Sequence, residues 1–399
     1  MNKRILLYIL IFALIIFGII FYNQKEEKND KKTIVFWTLQ LGTVDKYINS
    51  IICNFEKENP EYKIKWIDVP YAEGEKRTLA AILTDNPPDL INLTPDFSLL
   101  LAQKNALYNI EEKKLTQFLP SLLETLKYNE KYFGIPFYAT SAITLKNKEL
   151  AKKSIKTYDE LFNLEKSNTA YLTMISFAEN DTLLKLLNKY NINSAQNINS
   201  EKSIYLYTQL KRMYDKGQLP KESITQTHRD ALEKYMSGQL VYLVTGSNFL
   251  NMIKENAPSV YRNTEILPQL VGETNKYDYS LMNFVIPKLA KNKEKALDFA
   301  LYFTNETNQL EFAKMTTILP TNKNALENNY FKNTDNNDLQ AQARIISANQ
   351  LNNLQEPLKN IKNKKELNTT SANYIQDILI NNADIKKTLG NFAQDWEKL

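Results

Sequence analysis

Between residues 33 and 93 the chain alternates strand-like and helix-like hydrophobic patterns, and this limits its fold more than any other feature. TIVFWT (33–38) is a β-rich run of the kind that makes a buried first strand. Tyr47, Ile48, Ile51, Ile52 and Phe55 then recur at helical spacing. Asn59-Pro60 ends that helix, because the residue before a proline is pushed out of the helical region. YKIKWIDVP (62–70) alternates, with Ile64, Trp66 and then Asp68 on one side, and reads as a second strand. A helix over 74–84 stops before Asn86-Pro87-Pro88, and DLINL (89–93) forms a third strand. This β-α-β-α-β order predicts a parallel, doubly wound α/β sheet with ligands at the carboxyl ends of the strands. The loops Trp37–Gln40, Pro70–Glu73 and Thr94–Phe97 then share one rim.

Farther along, KYFGIPFYATSAITL (131–145) is a turn followed by an extended segment about twice the usual strand length. A strand that long suits a crossing between two lobes. Residues 158–240 read as mainly helical, and LVYLV (240–244) as a strand ending in Thr245-Gly246-Ser247-Asn248. SLMNFVIP (280–287) is a second long strand, helix follows from Lys293 to Thr304, and the last seventy residues read as helices with Asn-rich joints.

Several chemistries are excluded by the residues available. One histidine, His228, and one cysteine, Cys53, leave no internal disulfide, no Cys/His zinc site and no thiolate-held cluster. Nine glycines, none spaced G-x-G, cannot supply dinucleotide or Walker-type phosphate loops. His228-Arg229-Asp230 matches a kinase catalytic triplet only in name, since the glycine-rich loop and DFG are missing; a helix N-terminus is expected there. No cofactor, metal or enzymatic site is expected.

Residues 5–22, ILLYILIFALIIFGIIFY, are apolar or aromatic throughout and follow Lys3 and Arg4. At 1.5 Å per residue such a helix spans about 27 Å, close to a bilayer core. The basic flank predicts a cytoplasmic N-terminus with the rest of the chain exported. No small-x-small cleavage site follows, so the segment reads as an uncleaved anchor rather than a signal peptide. Residues 23–32 are then a charged tether. Residues 1–32 hold six basic residues (Lys3, Arg4, Lys25, Lys28, Lys31, Lys32) and three acidic ones (Glu26, Glu27, Asp30), so +2 of the formal +5 remains beyond them. So balanced a charge argues against a nucleic-acid partner.

The ordered blocks TIVFWT, FEKENPEYKIKWIDVP, LTDNPPDLINL, YFGIPFYATSAITLKNKEL, TYDELF, YMSGQLVYLVTGSNF, MNFVIPKLAKNKEKALDFALYFTN and ILPTNKNAL resemble the extracytoplasmic solute-binding proteins of sugar ABC transporters, the group containing maltodextrin-binding proteins. The resemblance covers about residues 33–399. IDVPYAEGEKRTLAAIL, THRDALEKY, NFLNMIKENAPSVY and PQLVG look similar to sugar-binding members found in cyanobacteria and their relatives. The usual lipoprotein cysteine is absent, and Phe137 stands where a Trp often follows Gly-Ile-Pro.

The resemblance implies a two-lobed periplasmic-binding-protein fold of class II. Residues 33–141 with 284–330 would make the first lobe, and 142–283 with 331–399 the second. Crossings near Ala139–Thr144 and Asn283–Pro287 would be the hinges. It also implies a monomer that captures a sugar, a di- or oligosaccharide, in the cleft between the lobes and delivers it to ABC permease subunits driven by a separate ATPase.

Sugars offer apolar C–H faces and a rim of hydroxyls, which aromatic platforms and planar polar groups suit. Trp37, Thr38 and Gln40 follow the first strand, although Trp37 could instead fill the core. Asp96 and Phe97 follow the third, where Asp96 could accept sugar hydroxyls or cap a helix. Phe137, Tyr138 and Thr140 lie on the first crossing; by the family pattern Thr140 falls where maltodextrin binders carry a carboxylate. Asn248 and Phe249 match a loop that usually offers a Trp. Asn283 lies on the second crossing, and Glu179 and Asn180 are placed by block spacing alone. An exported glycoside-processing enzyme, or a binder of a polyol or phosphodiester, is the alternative.

Overall fold

The computed structural model describes residues 32–165, 169–333, 338–356, 358, 361 and 363–399. The expected anchor at 5–22 lies outside the described residues, as does the tether up to residue 31; Lys32 opens the first strand. Among the described residues no helix is long and apolar enough to cross a membrane. The strands are β1 (Lys32–Leu39), β2 (Tyr62–Val69), β3 (Leu90–Leu93), β4 (Lys127–Tyr128), β5 (Lys131–Tyr132), β6 (Ile135–Asn147), β7 (Tyr242–Gly246), β8 (Thr264–Pro268), β9 (Tyr279–Val285) and β10 (Leu319–Pro320). The described residues form two compact units: residues 32–93 with 100–108 and 284–303, and residues 94–99 with 109–283 and 304–399.

In the first unit β1 lies between β2 and β3 and is parallel to both, with Thr38 opposite Asp68 and Phe36 opposite Leu90. The parallel arrangement follows from the helices that return the chain between strands. Helix Asp45–Glu58 buries Tyr47, Ile48, Ile51, Ile52 and Phe55, the five positions its spacing marked out. Helix Gly74–Ile82 makes the second return. The core is aromatic. The ring of Phe36 meets Phe284 at 5.5 Å, Phe299 at 5.3 Å and Phe303 at 5.9 Å. The first two meet edge to face, and such pairs each add about 0.5–1.5 kcal/mol beyond simple burial.

In the second unit the 13-residue β6 is the organising strand. Its later half is flanked by β7 and β8, both antiparallel to it, and Tyr138 and Ala139 near its start pair with β10. Between β6 and β7 the chain is mainly helical, as expected. The largest core gathers Leu206, Leu210, Ile375, Phe392 and Trp396 from helices Glu201–Asp215, Lys364–Leu379 and Ile385–Lys398. Gln350, on helix Leu339–Gln350, ties the strands together: its Nε2 donates to Ser141 Oγ at 2.7 Å, and its Oε1 accepts the Gln269 backbone N–H at 2.8 Å.

Candidate functional site

The second unit holds a cavity of about 460 Å³. Its wall is built from Thr140–Ala142 of β6, the end of β7 with the turn after it, the residues just after β8 and just before β9, and the segment 173–186. Gly246 is the last residue of β7, and a Cβ there would press on the side-chain oxygen of Asn248 where that side chain now lies. That tight turn lets Asn248 line the cavity.

Helix His228–Met236 starts at the same cavity. The Asp230 carboxylate accepts the Thr227 N–H at 2.8 Å, closing a capping box. His228 Nε2 lies 2.9 Å from Thr245 Oγ1, and its backbone N–H donates to Glu179 at 3.1 Å. Burial draws the imidazole pKa below its ordinary value, against the pull of Glu179. The imidazole ring has no carboxylate hydrogen-bonded to it among the described residues, so a Ser–His–Asp type of relay is not assembled here.

Lys189 and Asp278 both line the cavity and pair at 2.9 Å, with the lysine side chain only 2% exposed. Burial lowers the Lys189 pKa, and Asp278 opposes that shift. Tyr158 is raised by burial and by the Asp278 charge, and Tyr279 is pushed up to about 12 by burial. Both phenols are neutral donors at physiological pH. Lys364 bridges Asp96 at 2.7 Å and Asp181 at 3.1 Å. Burial would raise the Asp181 pKa, but Lys364 and Asn368 hold it below the usual range. Ser176 Oγ, on a residue 5% exposed, is buried without a partner. A buried hydroxyl without a bond marks a place where a polar ligand atom would be stabilised. Among the described residues no group of three or more His, Cys, Asp or Glu could hold a metal.

Of the residues singled out from the sequence, Thr140, Asn180 and Asn248 line this cavity, as does Glu179. Phe249 stands beside it with its ring 5.6 Å from that of His228. Tyr138 is half-buried, while Phe137 is fully buried and stacks on Phe312 at 5.6 Å. Asn283 is fully buried and donates to Ser98 Oγ at 2.9 Å. Phe97 is buried, and exposed Asp96 lies in the first turn of helix Pro95–Gln103. In the first unit Gln40 is exposed at φ 55°, and Trp37 is half-buried with its indole nitrogen unpartnered. Thr38 is fully buried, bonded to Asp68 and Trp66.

Tyr158, Lys189, Gln269, Asp278 and Tyr279 were missed by the sequence reading. Gln269 follows β8, so the strand-end rule could have found it. Asp278 precedes its strand and Lys189 closes a helix, and no local signal marks either.

The family model described as bacterial extracellular solute-binding protein matches residues 50–338. A curated relative, the multiple sugar-binding protein of Streptococcus mutans, is 30% identical over 150 residues. That match spans 36% of this chain and 35% of the relative, about a third of its length. Among solved structures, a Synechococcus sp. MITs9220 periplasmic-binding protein assigned to oligosaccharides is 25% identical, with TM-score 0.81 over 92% of this chain and 98% of that one. The extracellular solute-binding protein of Staphylococcus aureus, in complex with maltose, is 17% identical, with TM-score 0.74 over 93% of this chain and 98% of that one. At that identity the likeness shows the fold alone, and the fold is the periplasmic-binding-protein fold.

Proposed function

We propose that this chain, which belongs to the family of bacterial extracellular solute-binding proteins, captures a sugar outside the cytoplasmic membrane and hands it to an ABC permease for import. The observation that carries the reading is the cavity of the second unit. Hydroxyls, amides and two tyrosines dominate its wall, and its charged groups are of both signs. That lining suits an uncharged polyhydroxyl ligand, whose every buried hydroxyl needs a donor or acceptor. Thr140, Asn180 and Asn248 are the contacts we assign from the sequence, and a di- or oligosaccharide is the ligand class favoured by the named relatives.

Two further parts belong to the same reading. Residues 5–22 anchor the chain to the membrane, on the strength of their length and basic flank. Residues 33–141 with 284–330, and 142–283 with 331–399, act as lobes that close when ligand binds, since only a ligand with different affinities for two states can shift them.

A thermal-shift screen of the full chain against di- and oligosaccharides tests the proposal. Ligand at a hundred times its dissociation constant adds about 2.7 kcal/mol of stability. A rise with one saccharide supports the reading, and no rise across the panel rejects a sugar as the ligand.

A further inference from the structure

The ammonium of Lys189 is committed entirely within the protein. Its Nζ lies 2.9 Å from Asp278 Oδ2, 3.2 Å from Gln269 Oε1 and 3.4 Å from the Lys276 carbonyl oxygen. A lysine has three donors, and these three acceptors use them all. Lys189 therefore lines the cavity without offering a hydrogen bond to anything in it.

What Lys189 does is orient its two neighbours. Gln269 Oε1 accepts from Lys189 and also from the Asp278 backbone N–H at 2.7 Å. Two donors on one side-chain atom identify it as the oxygen, so the amide cannot be flipped. The Gln269 Nε2 group then makes no hydrogen bond among the described residues. Asp278 spends Oδ2 on Lys189, and its Oδ1 makes no hydrogen bond among the described residues. Tyr158, which feels the Asp278 charge, lines the same wall with a hydroxyl that makes no hydrogen bond among the described residues, and Ser176 Oγ is unpartnered there as well.

We propose that Gln269 and Asp278 are the anchoring pair of this cavity, with Lys189 their positioning residue, and that they select an uncharged ligand presenting two adjacent hydroxyls. The inference rests on the sugar-binding reading and deepens it. One hydroxyl of a vicinal diol donates to Asp278 Oδ1, and its neighbour accepts from Gln269 Nε2. At this pair a phosphate or carboxylate meets a fixed carboxylate and a Lys189 ammonium already committed to the protein, with exposed Lys185 elsewhere in the wall as the opposing charge, so it is disfavoured.

Isothermal titration of the full chain tests this with neutral disaccharides (maltose, cellobiose, sucrose, trehalose), then with trehalose 6-phosphate, maltobionate and cellobionate. The wild type is expected to bind a neutral sugar on the order of 100-fold more tightly than an anionic one. Asp278→Asn loses a comparable factor for the neutral sugar while its discrimination against the anionic sugars narrows. Lys189→Met weakens binding and Lys189→Arg restores it, which a residue that only fills space would not do. A wild type that prefers an anionic sugar overturns the proposal and leaves sugar binding standing; that arm needs no variant to fold. A folded Asp278→Asn protein with unchanged affinity and selectivity overturns it too. No binding of any saccharide sinks the broader reading and this inference with it.

Discussion

Thr38 Oγ1 lies 2.6 Å from Asp68 Oδ1, joining β1 to β2 at the pair of residues that face each other in the parallel ladder. The same hydroxyl accepts the Trp66 indole N–H at 2.8 Å, and Asp68 also takes the backbone N–H groups of Leu41 and Gly42 at 2.9 and 2.8 Å. A single carboxylate thus fixes the strand pair and the loop leaving it. Asp68→Ala is expected to cost about 2 kcal/mol and Thr38→Val about 1 kcal/mol in urea unfolding, because the first takes the acceptor from the buried Thr38 hydroxyl and the second takes one from the half-buried Trp66 indole. A loss below about 0.5 kcal/mol for both would show that water replaces these bonds.

His228 makes stability depend on pH. Its folded pKa is lowered by burial, with Glu179 as the opposing charge, so the unfolded chain binds more protons below about 6.5. This contribution is fully present above that value and is lost as pH falls through the folded pKa. Unfolding curves from pH 8 to 5 should show the loss, and His228→Gln should flatten that part of the profile. An identical slope in the variant would remove His228 as its source.

Gly272 packs against the backbone of Lys189. A Cβ at 272 would sit 2.7 Å from the Lys189 carbonyl oxygen, which cannot swing aside as a flexible side chain could. Gly272→Ala should therefore destabilise the second unit by roughly 1–3 kcal/mol and weaken sugar binding by displacing Lys189. Calorimetry and titration on the same sample read both effects. A stable variant with unaltered affinity would show that the segment shifts freely.

Thr157 opens helix Tyr158–Phe162 with a reciprocal cap: the Glu160 N–H donates to Thr157 Oγ1 at 3.0 Å, and the Thr157 N–H donates to Glu160 at 3.2 Å. The Lys156 N–H, also on Glu160, is the main cause of its lowered carboxyl pKa. Thr157→Ala is expected to cost about 1 kcal/mol. Because the helix begins with Tyr158, the variant should also blunt ligand binding; wild-type affinity would show that the tyrosine is held by packing alone.

Much of the first unit was legible because its information is local. The periodicity of Tyr47 through Phe55 specifies a helix and its buried face together, since side chains three and four apart share one side. TIVFWT and DLINL, as short apolar runs with helical returns between them, pointed to parallel strands, and they pair as such. The site was legible in part. Asn248 follows a strand and a glycine, and Thr140 sits on a segment about twice the usual strand length, so both advertise themselves.

Lys189, Gln269 and Asp278 could not be read this way. They lie up to 89 positions apart, and each is an ordinary surface residue by type. Only tertiary packing removes the water around Lys189 and brings to its ammonium two oxygens that decide how Gln269 and Asp278 point. Sequence determined the strands and helices of the first unit, because their hydrophobic patterns act over a few residues. Tertiary structure decided which polar atoms remain uncommitted, because a hydrogen bond has a partner only once the chain has folded.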